Sequence, residues 1–377
     1  MNSQRALMAG LIVIATLTFF LPCIGWTQND DPTTAAPVEF DEAQWKALIA
    51  KKAEVVARIE EIGATFQEAT PEEREQFQQE VTKLSTNFQK EVMPQLVKLA
   101  PLAFERNPKD SDAAEIMMQV TYAKNRFDQS AEVADQVLAS SPENALALNV
   151  AGVSHFAIHD FEKSVEILEN AQDLGVLYPQ LGGRYLESAR NYIDYWKTEQ
   201  EIRATEAAAT GDDALPRVLM KTSQGDILLE LFENEAPNTV ANFIMLVEKG
   251  YYDGIAFHRV IPGFMAQGGQ KNSLAGGINY TIDCECYRED ARRHFAGSLS
   301  MAHAGKDTGG AQFFLTHLPT PHLDREERPE SVHTVFGRVV EGMDVVASLQ
   351  QADQIESATV VRKRNHEYKP MTHPPLN

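Results

Sequence analysis

The chain has 377 residues, of which 43% are hydrophobic and 23% are charged, so it is neither a disordered nor a collagen-like polypeptide. At about 100–200 residues per domain, this length predicts two or three domains. The formal net charge is −20, and residues 29–214 carry most of it, with 17 Lys and Arg against 34 Asp and Glu. An acidic surface repels phosphate, so we expect no nucleic-acid partner.

Residues 1–28 predict a signal peptide or a membrane anchor. Arg5 precedes an apolar run, and small residues follow it, which is typical of a secretory signal. The run over residues 6–24 approaches the ~20 residues that a membrane span needs, so an uncleaved anchor is the alternative. A lipoprotein is disfavoured because Pro22, rather than a small residue, precedes Cys23. We therefore expect a periplasmic or otherwise extracytoplasmic protein that meets the membrane only through this segment.

Residues 29–40 predict a polar linker, and residues 41–207 predict an α-helical domain. Ala, Glu, Lys, Gln and Leu dominate this stretch, which favours long amphipathic helices. Thr70, followed by Pro71 and two glutamates, predicts a capped helix start. The expected helices are 41–69, 71–100, 112–123, 128–140, 144–157, 161–173 and 183–207.

Within this domain the sequence repeats at 34 residues. The pair 107–108 (NP) recurs as 141–142 (SP), and the segment that begins at Phe127 recurs at Phe161. Residues 77–178 therefore resemble two or three tetratricopeptide (TPR) repeats, with Gly152 as the small residue of a first helix. Stacked helix pairs leave a concave surface that often binds peptides. A protein partner on the repeats and a plain spacer both remain open.

The periodicity changes after a small-residue linker at 208–214. Residues 215–365 predict a β domain, and residues 366–377 predict a C-terminal tail. A hairpin is expected over 217–222 and 227–231, then a helix from Pro237 to about Lys249, and strands over 295–301, 313–316 and 335–339. Short strands separated by glycine-rich turns are typical of a barrel or a sandwich.

Three ordered motifs in this domain resemble the cyclophilins: 257–269 (FHRVIPGFMAQGG), 299–305 (LSMAHAG) with 310–314 (GAQFF), and 333–339 (HTVFGRV). The resemblance covers about residues 215–365. It implies a closed eight-stranded β-barrel with two helices, and peptidyl-prolyl cis–trans isomerase activity. It also implies proline-containing peptides and unfolded exported proteins as partners.

Matching the motifs position by position implies a role for individual residues. Arg259 is the implied catalytic residue, which stabilises the twisted prolyl amide. The implied apolar slot for the proline ring comprises Phe264, Met265, Phe314 and Leu323. The positions implied to hold the peptide backbone are Gln267, Ala302, His303, Ala304 and Gln312. His333 matches the pocket histidine, and His322 stands where many relatives have tryptophan, which makes the slot more open.

Rotation about a prolyl bond breaks no covalent bond, so we expect no cofactor and no metal. Four histidines stand near the motifs, yet none forms a helical His-x-x-x-His pair and no acid stands at ligand spacing. A barrel that binds proline segments with incidental turnover is the alternative function. A charged insertion over residues 325–332 precedes His333 and is expected beside the pocket.

The only cysteines after residue 28 are Cys284 and Cys286, in a Cys-x-Cys spacing. This spacing matches no standard zinc pattern, which requires a second pair. Two free thiols are expected, and a strained disulfide between them is the alternative in an oxidising compartment.

Overall fold

The computed structural model describes residues 39–374 except 67, 272–276, 326–328 and 330–331. The expected signal or anchor, most of the linker before residue 41 and most of the insertion at 325–332 lie outside the described residues. Among the described residues, no helix combines the length and the apolarity needed to cross a bilayer.

The described residues form ten α-helices and nine β-strands. The helices are α1 (Glu42–Thr65), α2 (Pro71–Asn87), α3 (Met93–Arg106), α4 (Ser111–Ala123), α5 (Phe127–Ser140), α6 (Ala145–Ala157), α7 (Phe161–Asp173), α8 (Leu186–Ala208), α9 (Pro237–Glu248) and α10 (Met343–Ser348). The strands are β1 (Arg217–Thr222), β2 (Gly225–Leu231), β3 (Ile255–Ala256), β4 (Arg259–Ile261), β5 (Met265–Gly268), β6 (Ser298–Met301), β7 (Phe313–Thr316), β8 (Val335–Glu341) and β9 (Gln354–Arg362).

The chain divides into two compact units. The first unit takes the described residues up to Ala123, together with Asp128–Val153 and Glu166–Arg184. The second unit takes Lys124–Phe127, Ser154–Val165 and the described part of Tyr185–Asn377. The second unit holds all the described strands and is called the sheet unit. It also includes α8 and two short segments that lie within the helical part of the sequence.

Local signals explain where the first helices begin and end. The side chain of Thr70 accepts the N–H of Glu73 and the Glu73 carboxylate accepts the N–H of Thr70, which confirms the predicted cap of α2. The predicted helix 71–100 is wrong at its centre, because a π-helical turn at Phe88–Val92 separates α2 from α3. Pro94 lacks the N–H that would continue the α-helical ladder, so the helix is interrupted just before it.

The 34-residue repeat is visible in the helix boundaries of the first and second units. Ser111 and Ala145 begin α4 and α6, and Phe127 and Phe161 begin α5 and α7. Within the first unit, a Cβ atom built on Gly152 would lie 2.3 Å from Cδ2 of Leu168, so a larger residue there would require the Leu168 side chain to move. The helix-pair periodicity is confirmed, while the TPR identity stays a prediction.

The β domain is one curled antiparallel sheet in the order β3-β9-β1-β2-β8-β6-β7-β5-β4. The predicted closed eight-stranded barrel is therefore wrong, both in the number of strands described and in closure. The two residues of β3 pair with β9 and the three of β4 pair with β5, and among the residues that the structure describes no ladder joins these two edge strands. The predicted hairpin is confirmed, with Thr222 opposite Gly225.

A buried hydrophobic core lies between the sheet and its helices. Phe243 of α9 and Val346 of α10 pack with Met220, Leu229 and Phe336 of the sheet, and all five are almost fully buried. Burial of a large apolar side chain contributes about 1.5–3 kcal/mol. The two predicted helices of the β domain thus cover the sheet.

Helix α8 is joined to the sheet within the second unit by buried charges. Arg292 donates to Glu199 Oε1 at 2.7 Å and to Glu206 Oε1 at 2.6 Å, and Arg338 donates to Glu206 Oε2 at 2.7 Å. Burial opposes ionisation of Glu199, but the hydrogen bonds from Arg292 hold its pKa below the usual value. Removing one member of such a network leaves an uncompensated buried charge.

Candidate active site

A row of polar side chains crosses β4, β5 and the start of β7. Arg259 lies opposite Gln267 in the sheet register, and its Nη1 donates to Gln267 Oε1 at 3.4 Å. Gln267 Nε2 in turn donates to Gln312 Oε1 at 3.1 Å. Arg259 is exposed, so its remaining N–H groups can reach a bound peptide. The sheet thus brings together three residues that the motifs predicted for one site.

An apolar slot lies beside this row. Met265, Phe314 and Leu323 form one buried cluster, against which Phe264, Ala302 and Ile261 pack while partly exposed. Leu323 reaches the cluster from a 3-10 turn at Pro321–Leu323. Sequence reasoning missed Ile261, although its spacing of two from Arg259 on a strand was the available signal.

Two stacked imidazoles form one wall of the site. The rings of His303 and His333 are 4.1 Å apart, and His333 meets Phe314 edge-on at 5.5 Å. His333 Nδ1 donates to the Met301 carbonyl at 2.9 Å, so the neutral ring carries its lone pair on Nε2. Burial, followed by the neighbouring His303, lowers the pKa of His333 to about 4. His333 is therefore neutral at physiological pH.

His322 covers the outer edge of the slot. Its exposed ring lies 5.2 Å from the ring of Phe264, with 43° between their planes. The contact places His322 at the site, where the sequence predicted it. An imidazole covers less of the Phe264 face than an indole would.

The backbone around residues 302–304 is partly engaged within the protein. The Ala302 N–H donates to the Gln312 carbonyl at 2.9 Å, and the Ala304 N–H donates to Thr308 Oγ1 at 3.0 Å. His303 Nε2 donates to the Val332 carbonyl at 2.8 Å. These three residues border the slot, but a peptide cannot use those two amides without displacing their present acceptors.

A buried polar chain supports the slot from behind. His294 lies parallel to Phe314, with ring centroids 6.0 Å apart. Its Nδ1 donates to Asp324 Oδ1 at 2.7 Å, and Nε2 contacts Ser300 Oγ at 2.9 Å. Asp324 also accepts the hydroxyl of Tyr192 from α8. Sequence reasoning missed this chain because none of its members belongs to the residues expected to touch substrate.

Asn125 supports the turn that carries Phe264. Its Oδ1 accepts the N–H of Gly263 at 2.6 Å, and its Nδ2 donates to the Ala347 carbonyl at 3.2 Å. Asn125 is buried and adopts a φ of 58°, which asparagine tolerates better than most residues. All three residues belong to the second unit, so Asn125 ties the Gly263 turn to the end of α10.

Comparison with known proteins agrees with this geometry. A family model described as cyclophilin type peptidyl-prolyl cis-trans isomerase/CLD matches residues 217–367. A peptidyl-prolyl cis-trans isomerase of Synechococcus elongatus is 49% identical over 150 residues, which cover 39% of this chain and 97% of that protein. Peptidyl-prolyl cis-trans isomerase B of Bacillus subtilis is 49% identical over 135 residues, covering 36% of this chain and 90% of that protein.

Among solved structures, a Cryptosporidium parvum cyclophilin is 28% identical and has a TM-score of 0.35, covering 40% of this chain and 99% of that one. The sequence relatives, rather than this superposition, identify the family. The chain belongs to the cyclophilin-type peptidyl-prolyl cis–trans isomerases, with residues 217–367 as its cyclophilin domain. It is an enzyme of that class, and cyclophilins bind proline-containing peptides as substrates.

Proposed function

We propose that this isomerase is exported and assists the folding of other exported proteins, with Arg259 stabilising the twisted prolyl amide. The single observation that carries the catalytic part is the position of Arg259, exposed and hydrogen-bonded to Gln267 beside the buried Met265–Phe314–Leu323 slot. The proposal for export rests on residues 1–28 of the sequence.

The barrier to rotation about a peptide bond is about 18–20 kcal/mol, and prolyl rotation takes tens to hundreds of seconds unaided. The planar amide owes its stiffness to a charge-separated resonance form, which an apolar slot disfavours. A donor aimed at the prolyl nitrogen favours the twisted state, where that nitrogen is pyramidal and holds a lone pair. The rigid fork of an arginine supplies such donors.

The neighbouring residues have distinct parts in this proposal. Met265, Phe314 and Leu323 receive the proline ring, and Gln267 orients the Arg259 guanidinium through its 3.4 Å hydrogen bond. The Nε2 lone pair of neutral His333 accepts a hydrogen bond from the peptide. No step requires a nucleophile or a proton transfer.

Substitution of Arg259 tests the catalytic proposal. Arg259→Ala should lower kcat/KM for a short proline peptide by at least about 10²-fold, since losing one preorganised donor costs about 2.7–4 kcal/mol. Arg259→Lys should also be impaired, because a lysine keeps the charge and loses the planar fork. Arg190→Ala is the matched control, since Arg190 is an exposed arginine of α8. Near wild-type turnover of Arg259→Ala would refute the assignment.

Export is tested by expressing the chain with and without residues 1–28 in a bacterial host and fractionating the cells. The full chain should appear in the extracytoplasmic fraction, and the shortened chain should stay in the cytoplasm. Retention of the full chain in the cytoplasm would exclude an export signal. Recovery with the membranes would support the uncleaved anchor.

The repeats are proposed to hold unfolded clients. Refolding of a proline-limited client is compared with turnover of a short peptide, using the full chain at two salt concentrations. The excess of 17 acidic charges over residues 29–214 attracts basic clients, so salt should slow client refolding more than peptide turnover. Equal salt effects on both substrates would assign the helices a spacer role.

A binding module with incidental turnover is the second candidate. The observation that favours it is the exposed His322 over Phe264, because a smaller ring leaves the slot more open. This candidate predicts that Arg259→Ala keeps the peptide Kd and that the wild-type chain barely accelerates rotation. A wild-type acceleration that disappears in Arg259→Ala would exclude it.

A further inference from the structure

We propose that Cys284 is a thiol-modification site that reacts with small-molecule disulfides, that Cys286 resolves the product, and that the resulting disulfide alters the proline pocket. The isomerase activity itself does not need either thiol. The inference therefore adds a second chemistry to the domain, placed beside its active site.

The two thiols differ in their surroundings. Both are free in the structure, with Cys284 half-buried and Cys286 buried. The Asp307 N–H donates to Cys284 Sγ at 3.1 Å, and the Cys284 N–H donates to Asp307 Oδ1 at 2.8 Å. A backbone donor aimed at sulfur stabilises a thiolate. Cys286 Sγ instead lies 3.7 Å from the Val332 carbonyl oxygen, which disfavours a thiolate at that position.

Electrostatics reinforce this division. A hydrogen bond from Cys286 lowers the pKa of Cys284, burial opposes the shift, and His303 lowers it further. The same hydrogen bond and burial raise the pKa of Cys286. The titratable groups around Cys284 include Cys286, His303 and Asp307 on the facing loop, and the charge of Cys284 itself acts on Tyr287 of its own segment. One accessible thiolate next to one protonated thiol is the pairing that attack and resolution require.

The chemistry balances with a low-molecular-weight disulfide as the oxidant. The Cys284 thiolate attacks one sulfur of the disulfide, forming a mixed disulfide and releasing one thiolate. Cys286 then loses its proton to that thiolate and attacks Cys284 Sγ, which forms the Cys284–Cys286 bond and releases the second small-molecule sulfur as a thiolate that takes up a proton from water. Two protein thiols are oxidised to one disulfide, and the small disulfide is reduced to two thiols.

The residue between the cysteines links them to the pocket. Glu285 accepts the N–H of Thr239 at 2.8 Å and that of Asn238 at 3.0 Å, so it caps the start of α9. The Glu285 N–H donates to Thr334 Oγ1 at 3.0 Å, and Thr334 follows the pocket residue His333. Closing a disulfide across Glu285 bends this segment and therefore acts on both contacts.

A second link runs through the imidazoles. His303 interacts with Cys284 and stacks on His333 at 4.1 Å. Burial lowers the pKa of His303, and the hydrogen bond and charge of Cys284 help to raise it above the usual value, so consumption of the thiolate removes that contribution. Oxidation therefore changes the pKa of His303, the ring that stacks on His333. His333 in turn contacts Phe314 of the slot.

The test uses the full chain with Cys23→Ser, so that only two cysteines remain, and oxidised glutathione as the probe. Mass spectrometry should find a chain that has lost two hydrogens, without bound glutathione. Cys286→Ser should stop at one bound glutathione, and Cys284→Ser should react at least about tenfold more slowly, because its remaining thiol is buried and protonated. Equal reactivity of the two single variants would overturn the assignment of roles.

The pH dependence gives an independent readout. An ordinary thiol of pKa about 8.5 loses roughly a hundredfold in reaction rate between pH 8 and pH 6, because its thiolate fraction falls. Cys284 should lose less than about tenfold over this interval. A full hundredfold loss would refute the stabilised thiolate.

Coupling to the pocket is measured on the same samples. Oxidation should change kcat/KM for a proline peptide at least threefold, dithiothreitol should reverse the change, and Cys284→Ser treated identically should not change. An oxidised chain with unaltered kcat/KM would overturn the coupling. The mass measurements do not depend on turnover, so failure of this inference is distinguishable from failure of the proposed function.

Discussion

The hydroxyl of Tyr192 donates a 2.5 Å hydrogen bond to Oδ2 of Asp324, the residue that follows Leu323 of the proline slot. The other carboxylate oxygen of Asp324 accepts the N–H of His294 at 3.1 Å and its Nδ1–H at 2.7 Å. His294 lies parallel to Phe314. Helix α8 is thereby connected to two walls of the slot through one carboxylate.

Tyr192→Phe removes this hydroxyl while keeping the ring. We expect a loss of about 1.5–3 kcal/mol in unfolding free energy, since the hydrogen bond is made to a charged group. We also expect a lower kcat/KM, because Leu323 and Phe314 lose a fixed support. Tyr195→Phe is the control. The contact described for Tyr195 is between its ring and the Arg293 guanidinium above it, and phenylalanine keeps that ring. Equal stability of the two variants would show that the Asp324 bond contributes nothing.

Asn125 should influence substrate binding without touching substrate. Asn125→Gly tolerates the φ of 58° and removes the hydrogen bond to Gly263, whereas Asn125→Asp keeps the acceptor. Losing a hydrogen bond of about 1 kcal/mol predicts that Asn125→Gly lowers kcat/KM about fivefold, mainly through KM. Asn125→Asp should retain more of the wild-type value. An identical kcat/KM for the wild type and Asn125→Gly would contradict the positioning role.

The buried charges of α8 predict a large effect on stability. Glu199→Gln removes one of the two carboxylates that lie within 2.7 Å of the buried Arg292 guanidinium, so the unfolding free energy should fall by about 3–5 kcal/mol. Glu187→Gln on the same helix removes an exposed ion pair with Arg190 and should cost no more than about 0.5 kcal/mol. Denaturant unfolding of both variants measures the difference. Comparable losses would mean that solvent reaches the Arg292 network.

The predicted linker at 208–214 leads to a fragment experiment. A fragment beginning at Leu215 lacks Glu199, Glu206 and Tyr192, so Arg292 loses its two nearest carboxylates and keeps Glu235 at 3.5 Å, and the fragment should be far less stable. A fragment beginning at Tyr185 keeps α8 and should be the more soluble and more active of the two. Equal thermal stability of the fragments would support the boundary predicted from the sequence.

Acid should destabilise the sheet unit through its buried histidines. Burial lowers the pKa of His159 to about 3, and those of His317 and His333 to about 4. The unfolded chain takes up these protons near pH 6.5 while the folded chain stays neutral, so stability is lost as pH falls from about 6.5 towards 4. Above pH 6.5 these groups add no pH dependence.

His317→Leu removes one of these titrating groups and so measures its contribution to the pH dependence of stability. Each buried histidine contributes up to about 1.4 kcal/mol per pH unit to the slope of unfolding free energy against pH. The variant should lower that slope by up to this amount between pH 4 and pH 6, whatever its absolute stability. Denaturant unfolding at several pH values gives the slope. An unchanged slope would show that His317 is protonated in the folded chain.

The predicted site residues that the structure brings together are those whose relation is local. Arg259 lies on β4, and Met265 and Gln267 lie two residues apart on the neighbouring strand β5. The register of the two strands brings these residues together, as the motif order implied. The open edge of the sheet was not predictable in this way. It depends on the lengths of the edge strands β3 and β4, which have only two and three residues.

The supporting contacts escaped prediction for a different reason. Asp324 meets a partner 132 residues earlier, and Gly263 meets one 138 residues earlier. Neither pairing leaves a periodic or compositional signal. A single polar residue on a helix or in a short loop is ordinarily solvated, so Tyr192 and Asn125 resemble many other surface residues until the tertiary structure is known.

The discontinuity of the second unit has a consequence for biosynthesis. Asn125 leaves the ribosome 138 residues before Gly263, which is roughly 7–28 s at about 5–20 residues per second. Lys124–Phe127 and Ser154–Val165 are therefore synthesised before the strands of the second unit exist. In a stalled or truncated translation product both segments are present without the strands against which they pack. Proteases and chaperones can therefore distinguish the incomplete chain from the folded protein by these exposed segments.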